Sequence, residues 1–445
     1  MTRDITSTSV TESLNRGVSF NAVLSWLYHF FEFFFLFFTM CFPVTLSGIR
    51  FVFMLGWLAV ILLRCLNKKL AFPTHICIIF TIYYFSAVVS AIQGFAFGSA
   101  GFFTGLRFDF IYPIIFLIIC SSFDSKKSYQ RLVKYLLIIQ TVICVWDLWY
   151  CLYGFNLVPF PSLLLSLPSE YSFGNYGFFV QYFTNHMITH IFMFPIILAI
   201  SLKKNKLPFF VLLFMELICI VISGRAALQL MAFFSAILII FFFFLIMQTN
   251  KLKSFYLVGG AVLLVLVLFI LLSTFSNVSA SGIFGYAKDK INNSFSSNDS
   301  LDTVRLDQLV ALTNGFLDKP LFGNGTASYT LECVRDELYP WNYELYYNLI
   351  LFQKGIFGLF AILLIYGTTV YGIYKTKRID VNVKAGFLFA FISVIVSSAF
   401  DPYLATSGCL WMIYIPLSFS YHIKEERKDY YEHKTSSLSC SNSIQ

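Results

Sequence analysis

Charge is what this sequence has least of. Only 12% of its 445 residues are Asp, Glu, Lys or Arg, while 58% are hydrophobic; ordinary soluble domains carry about one quarter charged and about one half apolar residues. That deficit excludes a soluble globular domain. The net charge of +8 does not indicate a nucleic-acid partner either, because the basic residues are dealt into short connections and never form one patch. No cleavable leader is expected, since the first apolar run, Ala22 to Phe42, is span-length and lacks a small-residue cleavage site. There is no internal repeat to argue from. Most of the 10 cysteines lie inside apolar runs as small hydrophobes. Cys151 and Cys333 could meet on the outer side, but nothing in the sequence supports a disulfide.

What the chain does have is a series of apolar runs of roughly 17 to 25 residues, each long enough to cross about 30 Å of hydrocarbon as a helix. The expected spans are Ala22–Phe42, Leu46–Cys65, Thr74–Gln93, Arg107–Ser122, Leu132–Tyr153 and His186–Leu202. They continue with Leu207–Ile222, Arg225–Met247, Phe255–Phe275, Leu345–Tyr374, Ala385–Phe400 and Thr406–Tyr421. The fold class is therefore an all-α polytopic membrane protein of about twelve transmembrane helices. Residues 1–21 form a cytoplasmic segment, 22–275 spans one to nine, 276–344 a large outer loop, 345–421 spans ten to twelve, and 422–445 a cytoplasmic tail.

Charge placement gives the orientation. Arg64, Lys68 and Lys69, then Lys126, Lys127, Arg131 and Lys134, then Lys203, Lys204 and Lys206, then Lys251 and Lys253, then Lys375, Lys377 and Arg378 fall on one face, which the positive-inside bias makes the cytoplasm. Both termini fall there too. The opposite connections are poor in Lys and Arg, so each arginine among them needs a reason. In the large loop, Ser276 to Ser300 reads as irregular. A helix follows from Leu301, with Leu306, Leu309, Val310, Thr313 and Leu317 at helical spacing and Asp302 in its first turn. Gly323 and Gly325 break what comes next.

Several polar residues stand where ions are costly. Arg225, between two spans at the outer interface, is either a snorkelling boundary residue or a binding group. Arg107 and Asp109 repeat that situation at another outer mouth, as an internal ion pair or as part of a phosphate clamp. Arg305 on the loop helix reads alone as a solvated residue. Together the three arginines supply the planar, permanently charged donors that a diphosphate takes. Glu344, opening the tenth span, shares a helical face with Asn348 and Gly355, with Asn342 and Tyr347 close by; it would serve as a general base or merely favour the helix N-terminus. His186 and His190 form an i, i+4 pair without an intervening Glu or a clear third ligand. A zinc reading has little support there, against a structural role or hydrogen bonding near a bound sugar or diphosphate. Glu32, Asp147 and Glu216 lie within spans, and the sequence assigns them no partners.

In order along the chain, the Ser223-Gly224-Arg225 turn, the Arg305 helix leading to Pro320-Leu321-Phe322-Gly323-Asn324-Gly325, and the Gly355-Ile356-Phe357-Gly358 stretch resemble the O-antigen polymerase and O-antigen ligase superfamily of bacterial envelope glycosyltransferases. About twelve spans with one large late outer loop fit the same pattern. In the ligase branch a histidine stands eleven residues before the first glycine of the Gly-x-x-Gly stretch, where this chain has Glu344; that departure points to the polymerase branch. The resemblance implies a bacterial inner-membrane enzyme that needs no metal or other cofactor. Its donor and acceptor would be undecaprenyl-diphosphate-linked oligosaccharides, with membrane lipids and a chain-length regulator as further partners. It further implies catalytic roles for Glu344, Arg225 and Arg305, and substrate contacts by Arg107, Asp109, His186, His190, Asn342, Tyr347 and Asn348. Two other readings stay open: a ligase delivering glycan to a lipid A core, and a flippase moving lipid-linked sugars, the latter disfavoured by charges gathered at one face instead of the midplane.

Overall fold

The computed structural model describes residues 6–66, 72–162, 164, 172–176, 179–204, 206–223, 226–246, 300–334, 336–399 and 401–421. Arg225, the expected ninth span Phe255–Phe275 and residues 276–299 of the stretch expected to be irregular lie outside these residues. The described chain is a helical bundle: α1 Thr6–Cys41, α2 Ser47–Cys65, α3 Thr74–Phe97, α4 Phe102–Ser121, α5 Lys126–Gly154, α6 Asn185–Lys204, α7 Leu207–Ile222 and α8 Ala226–Ile246 come first. The loop helix α9 spans Ser300–Asp318, and α10 Tyr346–Lys375, α11 Val381–Ser397 and α12 Ser407–Ser420 complete it.

Among the described residues, seven helices are long and apolar enough to cross a membrane, and four shorter apolar ones accompany them. The chain is thus a helical membrane protein. One feature departs from helix: strands β1 Ser172–Tyr176 and β2 Phe179–Phe183 pair antiparallel in the connection before α6. Cys151 and Cys333 are separate free thiols.

The bundle is built around α6. In its apolar window 89% of the residues are buried, against 28% to 50% in the other six long helices, so α6 is a central post and the others keep a lipid-facing side. Helix α11 lies close against it because Gly386 offers no side chain: a Cβ there would sit 2.9 Å from the Ile196 Cα. Small residues let membrane helices approach in this way, where dispersion and not water expulsion drives association.

Charges within the bundle meet partners on the described residues. Glu32 of α1, fully buried, accepts from Arg131 Nε of α5 at 2.7 Å, and Arg64 lies 4.3 Å over the Tyr28 ring. The buried Arg50 of α2 donates to the Pro43 carbonyl and to Ser407 Oγ at the start of α12. A lone ion in that interior would cost several kcal/mol, on the order of what one such pair offsets.

Candidate functional site

The site begins with a break in α10. Gly355 has φ 67° and ψ −170°, a region open to glycine alone. A break there removes the helical bonds from Ile356 N–H to the Phe352 carbonyl and from Phe357 N–H to the Gln353 carbonyl. The Pro320 to Gly325 loop replaces both. Ile356 N donates to the Pro320 carbonyl at 2.9 Å and Phe357 N to that of Leu321 at 3.2 Å. In return Asn324 N donates to the Phe352 carbonyl at 2.8 Å and Gly325 N to that of Gln353 at 2.9 Å. Asn324 Nδ2 also donates to the Gly315 carbonyl at 2.7 Å, tying the loop to α9. Every backbone group freed by the kink is satisfied, as a dry interior demands.

This docking drives Thr326 into α3. Thr326 N donates to the Ser90 carbonyl at 2.8 Å, and the two hydroxyls lie 3.0 Å apart. Thr326 Oγ1 then donates to Asp109 Oδ2 at 3.1 Å. Asp109 belongs to a π-turn, Arg107–Ile111, inside α4; such bulges in helices recur at functional sites. Its other oxygen is held by Lys354 Nζ, one residue before the break, and Lys354 also lies 5.9 Å over the Tyr83 ring. The Lys354 and Asp109 side chains are 11% and 7% exposed.

Beside this ion pair is a cavity of about 350 Å³. Tyr83, Phe108, Trp341, Tyr346, Tyr366 and Tyr414 supply aromatic wall, and Asp109, Thr326, Asn342, Gln353 and Lys354 are among its polar groups. A few placed polar groups in an aromatic wall is the usual composition of a small-ligand site.

Above α10, helix α9 brings Arg305 to Glu344: Arg305 Nε donates to Glu344 Oε2 at 2.5 Å. Glu344 N in turn donates to Gln308 Oε1 at 2.9 Å. Between these contacts Leu312, Tyr343, Leu349 and Phe352 form a small apolar cluster that glues α9 to α10. Tyr343 accepts from Thr330 N at 2.9 Å, and burial pushes its phenol up to about 12. Arg305 keeps a 43% exposed side chain while making this pair.

The shared helical face of Glu344, Asn348 and Gly355 does not form. α10 starts at Tyr346 after a non-helical Leu345 (φ −84°, ψ 81°), and the break at Gly355 ends the helical register. Of the remaining expected site residues, Asn342 lines the cavity with Asp109. Arg107 is exposed on the π-turn and Asn348 half-buried in the first turns of α10. Tyr347 OH donates to the Ile395 carbonyl at 2.8 Å. His186 and His190 are 3% and 0% exposed, in a polar cluster inside the bundle with Asp147 and Glu216, and neither is among the described residues lining the cavity.

Sequence reasoning missed Lys354 and Thr326. Lys354 left a signal, a lone lysine eight residues inside an apolar helix that begins at Tyr346, since an intramembrane ion needs a partner. Thr326 left none, because its role comes from where the loop docks. Set against protein-family models and against curated proteins, the sequence matches none.

Proposed function

We propose that the chain polymerises undecaprenyl-diphosphate-linked oligosaccharide repeat units into an O-antigen or related surface polysaccharide, transferring the growing glycan onto a new lipid-linked unit. The observation that carries this reading is the interlock of two separated runs of the family pattern. Pro320 to Gly325 and the residues flanking Gly355 bond main chain to main chain beside a cavity with a charged, aromatic lining. Polar headgroups of lipid-borne substrates fit such a place, at the end of apolar helices that would guide their tails.

In this reading about twelve spans carry both termini in the cytoplasm of a bacterial inner membrane, and the loop between spans nine and ten faces the periplasm. Arg225 and Arg305, with Arg107 assisting, neutralise the diphosphate as charge develops on it. An acceptor hydroxyl oxygen bonds to the anomeric carbon, the bond from that carbon to the diphosphate oxygen breaks, and Glu344 takes the hydroxyl proton. The lipid diphosphate leaves with the bonding electron pair. The Arg305 contact holds the Glu344 carboxylate in place until substrate diphosphate competes for the guanidinium.

Cells carrying Glu344→Gln test this. The expected lipopolysaccharide bears a single repeat without the ladder of longer chains, because a separate ligase still transfers one unpolymerised unit. A normal ladder removes Glu344 from the mechanism, and loss of even the single repeat would make the chain the ligase.

A further inference from the structure

Three neighbouring helices each present two potential metal ligands at helical spacing: Cys144 and Asp147 on α5, His186 and His190 on α6, Glu216 and Cys219 on α7. All six converge inside the bundle, none more than 3% exposed. Glu216 Oε1 lies 2.9 Å from His190 Nδ1, and its Oε2 lies 2.9 Å from both Cys144 Sγ and Gln140 Nε2. Across the ring, His190 Nε2 is 2.9 Å from Asp147 Oδ2. Asp147 is itself held by His186 Nε2 at 2.6 Å and by the hydroxyls of Thr184 and Tyr182, each at 3.3 Å.

Hydrogen bonds alone do not close this cluster. His190 Nδ1 must donate to reach Glu216 Oε1, yet Gln140 Nε2, a donor, stands 3.0 Å from the same nitrogen. Gln140 Oε1, among the described residues, has no partner at all. Two carboxylates in a dry interior also require compensating positive charge.

We propose that Cys144, His190 and Glu216 form a buried binding site for a thiophilic divalent metal ion, zinc by the chemistry of its donors. Their ligand atoms lie within 4.8 Å of one another, a spacing that one ion about 2.0 to 2.3 Å from each nitrogen, oxygen and sulfur can bridge after small adjustments. A mixed thiolate, imidazole and carboxylate set selects zinc over magnesium or calcium. The ion takes the Nδ1 lone pair, which fixes the proton on Nε2, and Nε2 then donates to Asp147. That is the carboxylate–histidine–metal arrangement by which such histidines are held in orientation. The site joins α5, α6 and α7, and none of its residues is among those lining the cavity, so it is a staple of the bundle and stands or falls apart from the glycosyl-transfer reading.

The test uses the full chain, purified in detergent without a histidine tag from cells grown with added zinc or cobalt, and read by elemental analysis and visible absorption. The wild type is expected to carry about one ion per chain, with a thiolate-to-cobalt charge-transfer band in the cobalt form. Cys144→Ser should lose the band and most of the metal, whereas a surface control, Cys77→Ser, should keep both. If Cys144→Ser does not fold, the wild-type content and band decide alone. Monodisperse wild type without stoichiometric metal overturns the proposal, as does metal that persists unchanged in folded Cys144→Ser.

Discussion

Lys354 and Asp109, 245 positions apart in the chain, form an ion pair inside the helical bundle with Thr326 bonded to the free carboxylate oxygen. The pair joins α10 to α4 and lines the cavity. Removing one partner leaves an uncompensated charge where water is scarce. Lys354→Met should therefore destabilise the protein by about 3 to 5 kcal/mol, and Lys354→Met with Asp109→Asn should recover much of that loss. Thermal unfolding in detergent reads both; a single variant as stable as the wild type would mean the pair is solvated.

The break at Gly355 makes a second prediction. Alanine there must adopt φ 67° and set its methyl 2.5 Å from the Phe322 nitrogen, so backbone strain of about 1 to 3 kcal/mol adds to loss of the docked loop. Gly355→Ala should expose the Pro320 to Gly325 loop to limited proteolysis. Gly367 lies in the same helix with nothing within 4 Å of an added Cβ, so Gly367→Ala should cut no faster than the wild type. Equal resistance of Gly355→Ala and wild type would contradict the interlock.

Glu344 and Arg305 separate stability from turnover. Glu344→Gln keeps the shape and should lower turnover by about two to four powers of ten if the carboxylate is a general base. The Glu344 and Arg305 side chains are 15% and 43% exposed, so the lost contact should cost at most about 1 kcal/mol after solvent screening. A fall in turnover matched by a fall in folded protein would reduce the pair to a loop tether.

Tyr343 sets an alkaline limit. Its folded phenol is raised to about 12 from the usual value of about 10, so the fold favours the neutral form. That contribution is fully present below about pH 10 and is lost as pH rises through the folded value. Wild-type stability should fall relative to Tyr343→Phe between about pH 10 and 12, measured by denaturant unfolding in detergent. A constant difference over that range would show that Tyr343 ionises as freely as in the unfolded chain.

The helical membrane class is legible in the sequence because hydropathy is a local signal: the apolar runs beginning at Leu46, Thr74 and Leu207 reappear as α2, α3 and α7 within a few residues. The loop helix from Ser300 is legible for the same reason, since its leucines repeat at helical spacing. What local pattern cannot carry is pairing. Glu32, Asp147 and Glu216 read as costly and unpartnered, yet their partners Arg131, His186 and His190 lie on other helices. The helix break is hidden too, because Gly355 sits in an apolar run and only the docked loop lets its non-helical backbone be tolerated. The same break takes Gly355 out of the helical face drawn through Glu344 and Asn348, and the start of α10 at Tyr346 takes Glu344 out of it.

Reconstitution measures glycosyl transfer between two lipid-linked units. The purified protein in liposomes is supplied with lipid-diphosphate-linked repeat units, and the extracted lipids are resolved by mass. The proposed transfer yields species with two and more repeats on one lipid diphosphate, release of free lipid diphosphate in matching amount, and neither product with Glu344→Gln. Units that cross the bilayer unchanged, with no bond formed by folded wild-type protein, would contradict it and make the chain a transporter.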